Sequence, residues 1–242
     1  MVTTVELIET SLVSTIRLNN LGIRFFESGS YREAVDVLKS GMTNLRRLIE
    51  DYIHSTTEAE RELQQQGPSG LEASLSSLGT ADCSATGELK SDSGSASSLY
   101  TFKRPLRITS ELVSFPNSYA ELSLIMTYNL GLVYHEIGSI ADDADRLRKA
   151  FSLYNMTLDI LLRDQIVKSS TLIVLAAILN NMGVIQAKLG DIDLCKMFFR
   201  RLLSVLMIEL ATRRDSALVC SLEGFFYNIN HFLYEKPSAA AA

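Results

Sequence analysis

Residues 20–29 read Asn-Leu-Gly-Ile-Arg-Phe-Phe-Glu-Ser-Gly, and the pattern they set recurs twice more in the chain. Asn129-Leu130-Gly131 is followed by Gly138, and Asn181-Met182-Gly183 is followed by Gly190. Each copy is an asparagine, an apolar residue and a glycine, with a second glycine seven residues after the first. The first glycine falls inside a stretch of helical periodicity, where it costs about 1 kcal/mol relative to alanine. Such a cost calls for a compensating close approach by a second helix. The second glycine, two turns later, suits the left-handed residue that ends a helix. A new helix then begins with a small residue, Ala34, Ala150 or Cys195, and four positions on comes Leu38, Tyr154 or Phe199 on the same face. The expected product is a series of antiparallel helix pairs with small-residue contacts at their crossings.

Around these copies the helical period is continuous. Helices are expected near 3–28, 31–53, 117–137, 144–164, 169–189, 191–212 and 216–234. The four prolines, Pro68, Pro105, Pro116 and Pro237, interrupt none of them. The organisation expected is a first helical repeat over 1–54, a Ser-rich acidic insert over 55–99, an extended segment over 100–116, further repeats and a closing helix over 117–236, and a tail over 237–242. The insert holds Glu58, Glu60, Glu62, Glu72, Asp82, Glu88 and Asp92 against Arg61 and Lys90, close to the whole net charge of -5. With little apolar surface to bury, it is expected to be disordered, either as a regulated element or as a tolerated loop.

The pattern resembles the tetratricopeptide repeat. Leu21-Gly22 with Phe25, and Leu130-Gly131 with Tyr134, meet the family's Leu-Gly and following aromatic. Ala34 with Leu38 and Ala150 with Tyr154 meet its later small and large pair. Met182-Gly183 with Gln186 departs from it, Cys195 replaces the alanine, and the proline between repeats is missing. The copies also stand farther apart than the family's spacing of about 34 residues. The resemblance implies an all-α fold, a right-handed α-α superhelix of antiparallel helix pairs.

It also implies a protein or peptide partner held in the groove lined by the first helix of each pair. By the same resemblance, Asn20, Asn129, Asn181 and Asn228 could form a ladder that hydrogen-bonds an extended backbone, because an amide offers both donor and acceptor. The same asparagines could instead brace neighbouring helix pairs. Ile23, Leu132 and Val184 are expected on the groove side. Ile16, Ile125 and Ala177 stand where lysines would hold a carboxylate, so that mode of binding is not expected. Tyr100 to Pro116, apolar and proline-bounded, has two readings: packing along the helical layer, or occupation of the protein's own groove.

Other functions find little support. With 47% hydrophobic and 21% charged residues and a pI near 5.3, the chain has the composition of a globular protein with no general attraction to nucleic acid. Cys83, Cys195 and Cys220 form no C-x-x-C pair, which favours a reducing, intracellular and cytoplasmic setting. His54, His135 and His231 stand apart from ligand-spaced partners, and no metal or cofactor is expected. Asp142-Asp143-Ala144-Asp145 lacks the glycine and distal glutamate of a calcium loop and suits a helix start. Asn155-Met156-Thr157 matches a glycosylation acceptor but falls in an expected helix. The N-terminus shows no secretory signal, and the longest apolar stretch, Leu172 to Leu179, is far short of the ~20 residues of a membrane span. The reading is therefore a non-enzymatic interaction scaffold. Its rivals are a small-ligand binder or enzyme with a pocket between helices, and a self-assembling structural subunit.

Overall fold

The structure, a computed structural model, describes residues 4–66, 99–108, 118–163, 172–212 and 216–234. Within these, seven α-helices follow one another: α1 (Thr4–Glu27), α2 (Tyr31–Gln66), α3 (Ser118–Ala141), α4 (Ala144–Arg163), α5 (Leu172–Leu189), α6 (Ile192–Thr212) and α7 (Ser216–Ile229). A π-helical turn, Asn230–Tyr234, closes the series. No strand occurs among the described residues, and the helices pack as sequential antiparallel pairs. The helix α2 runs to Gln66, beyond the expected end near 53, and takes in the first part of the 55–99 segment. The rest of that segment, residues 67–98, lies outside the described residues, as do 109–116 of the expected extended segment and the tail.

The helix ends follow from local chemistry. At the end of α1, Gly29 takes φ +78°, Ser30 N–H donates to Phe25 O at 2.8 Å and Gly29 N–H to Phe26 O at 3.0 Å. Gly190, at φ +84°, ends α5 in the same way, with Asp191 N–H on Gln186 O at 3.0 Å. Both pairs of bonds satisfy carbonyls that the helix end would otherwise orphan. The middle copy departs from expectation. Gly138 lies inside α3, which continues to Ala141, and the left-handed residue is Asp142 at φ 50°. The same bond pattern forms one turn later than the glycine spacing implied, with Asp143 N–H on Gly138 O at 2.9 Å. Gly138 is instead a close-approach position: a Cβ there would lie 3.0 Å from the backbone N of Leu147 on α4. Asp143 caps α4, accepting from the N–H groups of Asp145 and Arg146, and Asp191 caps α6 through Leu194 N–H.

The chain divides into two compact units. Unit 1 is Met1–Thr80 with Pro105–Val133, and unit 2 is Ala81–Arg104 with Tyr134–Ala242. The division passes through α3 between Val133 and Tyr134. In unit 1, α1 and α2 pair closely. A core of Leu12, Ile16, Leu45, Leu48, Tyr119, Leu122 and Met126 also includes Ile108 from outside the helices. In unit 2, α5 packs against α4 and α6, and α6 against α7. The helix α5 is apolar and long enough by composition to cross a membrane, but most of its length is buried inside this fold. A helix sandwiched between two others must be apolar on nearly every face.

The close approaches expected of the first glycines are present at Gly22 and Gly183. A Cβ on Gly22 would fall 2.6 Å from Leu38 of α2, and one on Gly183 would fall 2.8 Å from the Phe199 ring of α6. Gly131 is buried. Ala34, Ala150 and Cys195 are fully buried, as are Leu38, Tyr154 and Phe199. The Phe199 ring cannot easily yield, since it stacks on Phe232 with centroids 5.1 Å apart. Gly183→Ala should therefore destabilise the protein by about 1–3 kcal/mol through overpacking, although alanine is the better helix former. Chemical denaturation reads the sign directly: a stability equal to or above wild type would show that no close approach exists.

Candidate functional site: asparagine rungs around an extended segment

The first helix of each pair carries a buried or half-buried asparagine, and each one clasps a single residue of the segment 100–108. In unit 1, Asn20 on α1 accepts from Ile108 N–H at 3.1 Å and donates to Ile108 O at 2.8 Å. Asn129 on α3 accepts from Leu106 N–H and donates to Leu106 O, both at 2.8 Å. In unit 2, Asn181 on α5 accepts from Phe102 N–H and donates to Phe102 O, both at 2.9 Å. Asn228 on α7 accepts from Tyr100 N–H at 3.0 Å and donates to Tyr100 O at 2.7 Å.

The clasped residues within each unit are two apart, which is the repeat of an extended backbone. Alternate residues then present their peptide groups to one side. Asparagine is suited to this task for a reason of valence. One amide carries an acceptor oxygen and two N–H donors, so it can close a ring with a residue's N–H and C=O and still have one donor left. In Asn129 the spare donor reaches Asn19 Oδ1 at 2.9 Å; in Asn228 it reaches Asn180 Oδ1 at 2.8 Å; in Asn181 it reaches the Tyr154 hydroxyl at 3.2 Å. Burial pushes the Tyr154 phenol up, and it stays protonated.

Asn19 and Asn180 were missed by sequence reasoning, which considered only the asparagine next to the apolar-glycine pair. Asn19 donates to Leu106 O at 3.3 Å and Asn180 to Tyr100 O at 3.0 Å. The signal was present: Asn19-Asn20 and Asn180-Asn181 are doubled. The asparagines brace neighbouring helices and, in the same molecule, hold the backbone of the chain's own segment. Asn19 with Asn129 braces α1 to α3, Asn180 with Asn228 braces α5 to α7, and the same amides hold a backbone. Ile23, Leu132 and Val184 are all at most 1% exposed and belong to the core rather than to an open groove wall.

Side chains of the segment fall into two sets. Tyr100 and Phe102 flank the buried Phe225, edge-on at 5.5 Å and stacked at 5.6 Å respectively. The Tyr100 ring presses on α7 where Gly224 leaves room; a Cβ there would sit 2.4 Å from the ring. Burial pushes the Tyr100 phenol up, with the Arg104 charge opposing. Ile108 is in the unit 1 core. The intervening Lys103 and Arg107 are more exposed and reach carboxylates, Lys103 to Glu136 at 2.8 Å and Arg107 to Glu27. The Lys103 side chain is 58% exposed, whereas that of Glu136 is only 11% exposed.

Next to Glu136, His135 is fully buried, and neither ring nitrogen has a hydrogen-bond partner among the described residues. Burial lowers its pKa to about 3, with the charges of Lys188 and Lys103 acting in the same direction. Elsewhere, a depression of about 440 Å³ is lined by Lys196, Arg200, Leu203, Phe232 and Tyr234, apart from the asparagines. Among the described residues, no group of three or more metal-ligating side chains comes together. Cys195 is buried with its thiol pushed up to about 12, and Thr157 of the Asn155-Met156-Thr157 triplet is buried in α4. Comparison with family models, with curated proteins and with solved structures finds no match to this chain.

Two outcomes are expected. Asn181→Ala leaves the N–H and C=O of Phe102 without partners and should cost about 1–3 kcal/mol. Amide exchange at Phe102 should accelerate with it, and unchanged protection there would refute the clasp. For His135 the unfolded chain binds a proton near pH 6.5 and the folded chain only near 3. Its contribution is therefore fully present above about pH 6.5 and is lost as the pH falls toward 3. Between pH 7 and pH 5 the loss is on the order of 2 kcal/mol. His135→Leu should flatten that part of the stability profile measured by denaturant titration.

Proposed function

We propose that this chain is a tetratricopeptide-like interaction scaffold whose asparagine rungs bind an extended segment of a partner protein inside the cell. The observation that supports this reading is the two-way clasp. Four asparagines on α1, α3, α5 and α7 each take the N–H and the C=O of one residue and ask nothing of its side chain. Backbone recognition of this kind suits any extended chain, with flanking pockets supplying selectivity. The chain's own segment occupies the rungs, so a partner's apparent affinity is reduced by the fraction of molecules in which they are filled.

The test is binding of a fluorescent peptide with the sequence of residues 99–108 to the full chain and to a Tyr100→Gly/Phe102→Gly variant. Removing the two rings weakens the internal occupant, and the variant should bind the peptide at least about tenfold more tightly than wild type. Adding Asn181→Ala and Asn228→Ala should abolish the gain. A variant that retains its helical spectrum and cooperative melt yet shows no binding would overturn the proposal.

A further inference from the structure

The segment 100–108 is not held equally along its length. Its C-terminal end is embedded: Ile108 is 3% exposed and lies among Leu12, Ile16, Leu45 and Met126 in the core of unit 1, while Leu106 is half-buried. Withdrawing it would open that core. Its N-terminal part is different. Tyr100, Thr101 and Phe102 are only half-buried, and Lys103 is largely exposed. Their attachments are the amides of Asn180, Asn181 and Asn228, the ring of Phe225, and one carboxylate.

That carboxylate carries the chemical information. The Glu136 side chain is almost wholly shielded from water; its ion-pair cation, Lys103, comes from the segment itself, and Lys188 of α5 adds only a through-space charge. A shielded carboxylate whose cation leaves is strongly destabilised unless another cation replaces it. Gly224 adds a second constraint, because the space over its backbone accepts a flat ring. Phe225 offers its face to a further ring two residues on.

We infer that residues 100–103 are an exchangeable internal ligand, anchored through Ile108. The incoming partner is a protein segment of the pattern aromatic, any residue, aromatic, cation. This inference rests on the scaffold reading and names the partner class and the regulation of that same site. An occupant without the cation leaves Glu136 with the through-space charge of Lys188 but no ion-pair partner, and one with an acid in its place sets two carboxylates against each other. The internal Tyr-Thr-Phe-Lys sequence thereby acts both as a template for the partner and as a threshold it must exceed.

Peptide binding to the full chain tests the charge rule. The probes are the residue 99–108 peptide and the same peptide with glutamate in place of its lysine. Tyr100→Gly/Phe102→Gly protein should prefer the lysine peptide by about tenfold or more, and adding Glu136→Gln should shrink the preference to about twofold. Should the double-glycine variant not fold, Lys103→Ala serves instead, since that side chain is largely exposed; it should bind the lysine peptide more tightly than wild type does. Equal binding of both peptides would sink the charge rule and leave the scaffold reading standing, whereas a folded variant that binds neither would sink both. Hydrogen exchange on the wild type tests the exchangeable half: the Tyr100 and Phe102 amides should exchange faster than that of Ile108. Uniform protection would overturn it. Sedimentation at rising concentration reads a different occupant. Dimers that the peptide dissolves would put a second copy's segment in the site and overturn the assignment to a partner, and a concentration-independent monomer supports it.

Discussion

A stretch of extended chain with no neighbouring strand must find partners for its peptide groups, because leaving a buried N–H or C=O unpaired costs about 1–3 kcal/mol. In this protein the partners are side chains on helices. Asn20, Asn129, Asn181 and Asn228 supply for residues 108, 106, 102 and 100 what an adjacent strand would supply in a sheet. The segment can then bring Ile108 into a hydrophobic core and the rings of Tyr100 and Phe102 against Phe225 without stranding its backbone. Remove the amides, and the same burial would become unfavourable.

Within each unit the asparagines are presented by closely packed helix pairs, and the glycines permit that packing. Gly22 and Gly183 admit Leu38 and Phe199 against the helix backbone. The turns at Gly29, Asp142 and Gly190 reverse the chain with the terminal carbonyls satisfied. Asp143 and Asp191 then start the following helices. The spare donors of Asn129 and Asn228 tie α3 to α1 and α7 to α5 through Asn19 and Asn180. The residues that hold the segment thus also hold the helices that present them. This double duty explains why a residue of poor helical propensity stands inside α1, α3 and α5 and near the end of α7.

Electrostatics adds direction to a backbone interaction that is otherwise indifferent to sequence. Lys103 and Arg107, on the side of the segment away from the clasped residues, meet Glu136 and Glu27. Glu136 is the more demanding of the two acids because water barely reaches it. Beside it, His135 stays neutral, held so by burial and by the charges of Lys188 and Lys103. Lys103 and Lys188 thus both bring positive charge to the neighbourhood of Glu136, while the histidine beside it stays neutral.

Much of this was legible in the residues alone. Periodicity placed the helices to within a few residues, apart from α2, which runs on to Gln66. Two of the three terminal glycines were read correctly because a left-handed residue leaves a local mark. Gly138 misled because aspartate can also adopt that conformation, and Asp142 does so one turn later. The four asparagines stood out because nothing local requires an amide in mid-helix. What they hold was another matter. The contact of Tyr100 with Asn228 joins residues 128 positions apart. An amide is satisfied equally by a neighbouring helix, by a partner's backbone or by the chain's own. Local sequence dictated the helices and their caps, since those bonds close within a turn. Only the packed helices could decide which stretch of backbone comes to lie against the amides, since that depends on where distant elements end up in space.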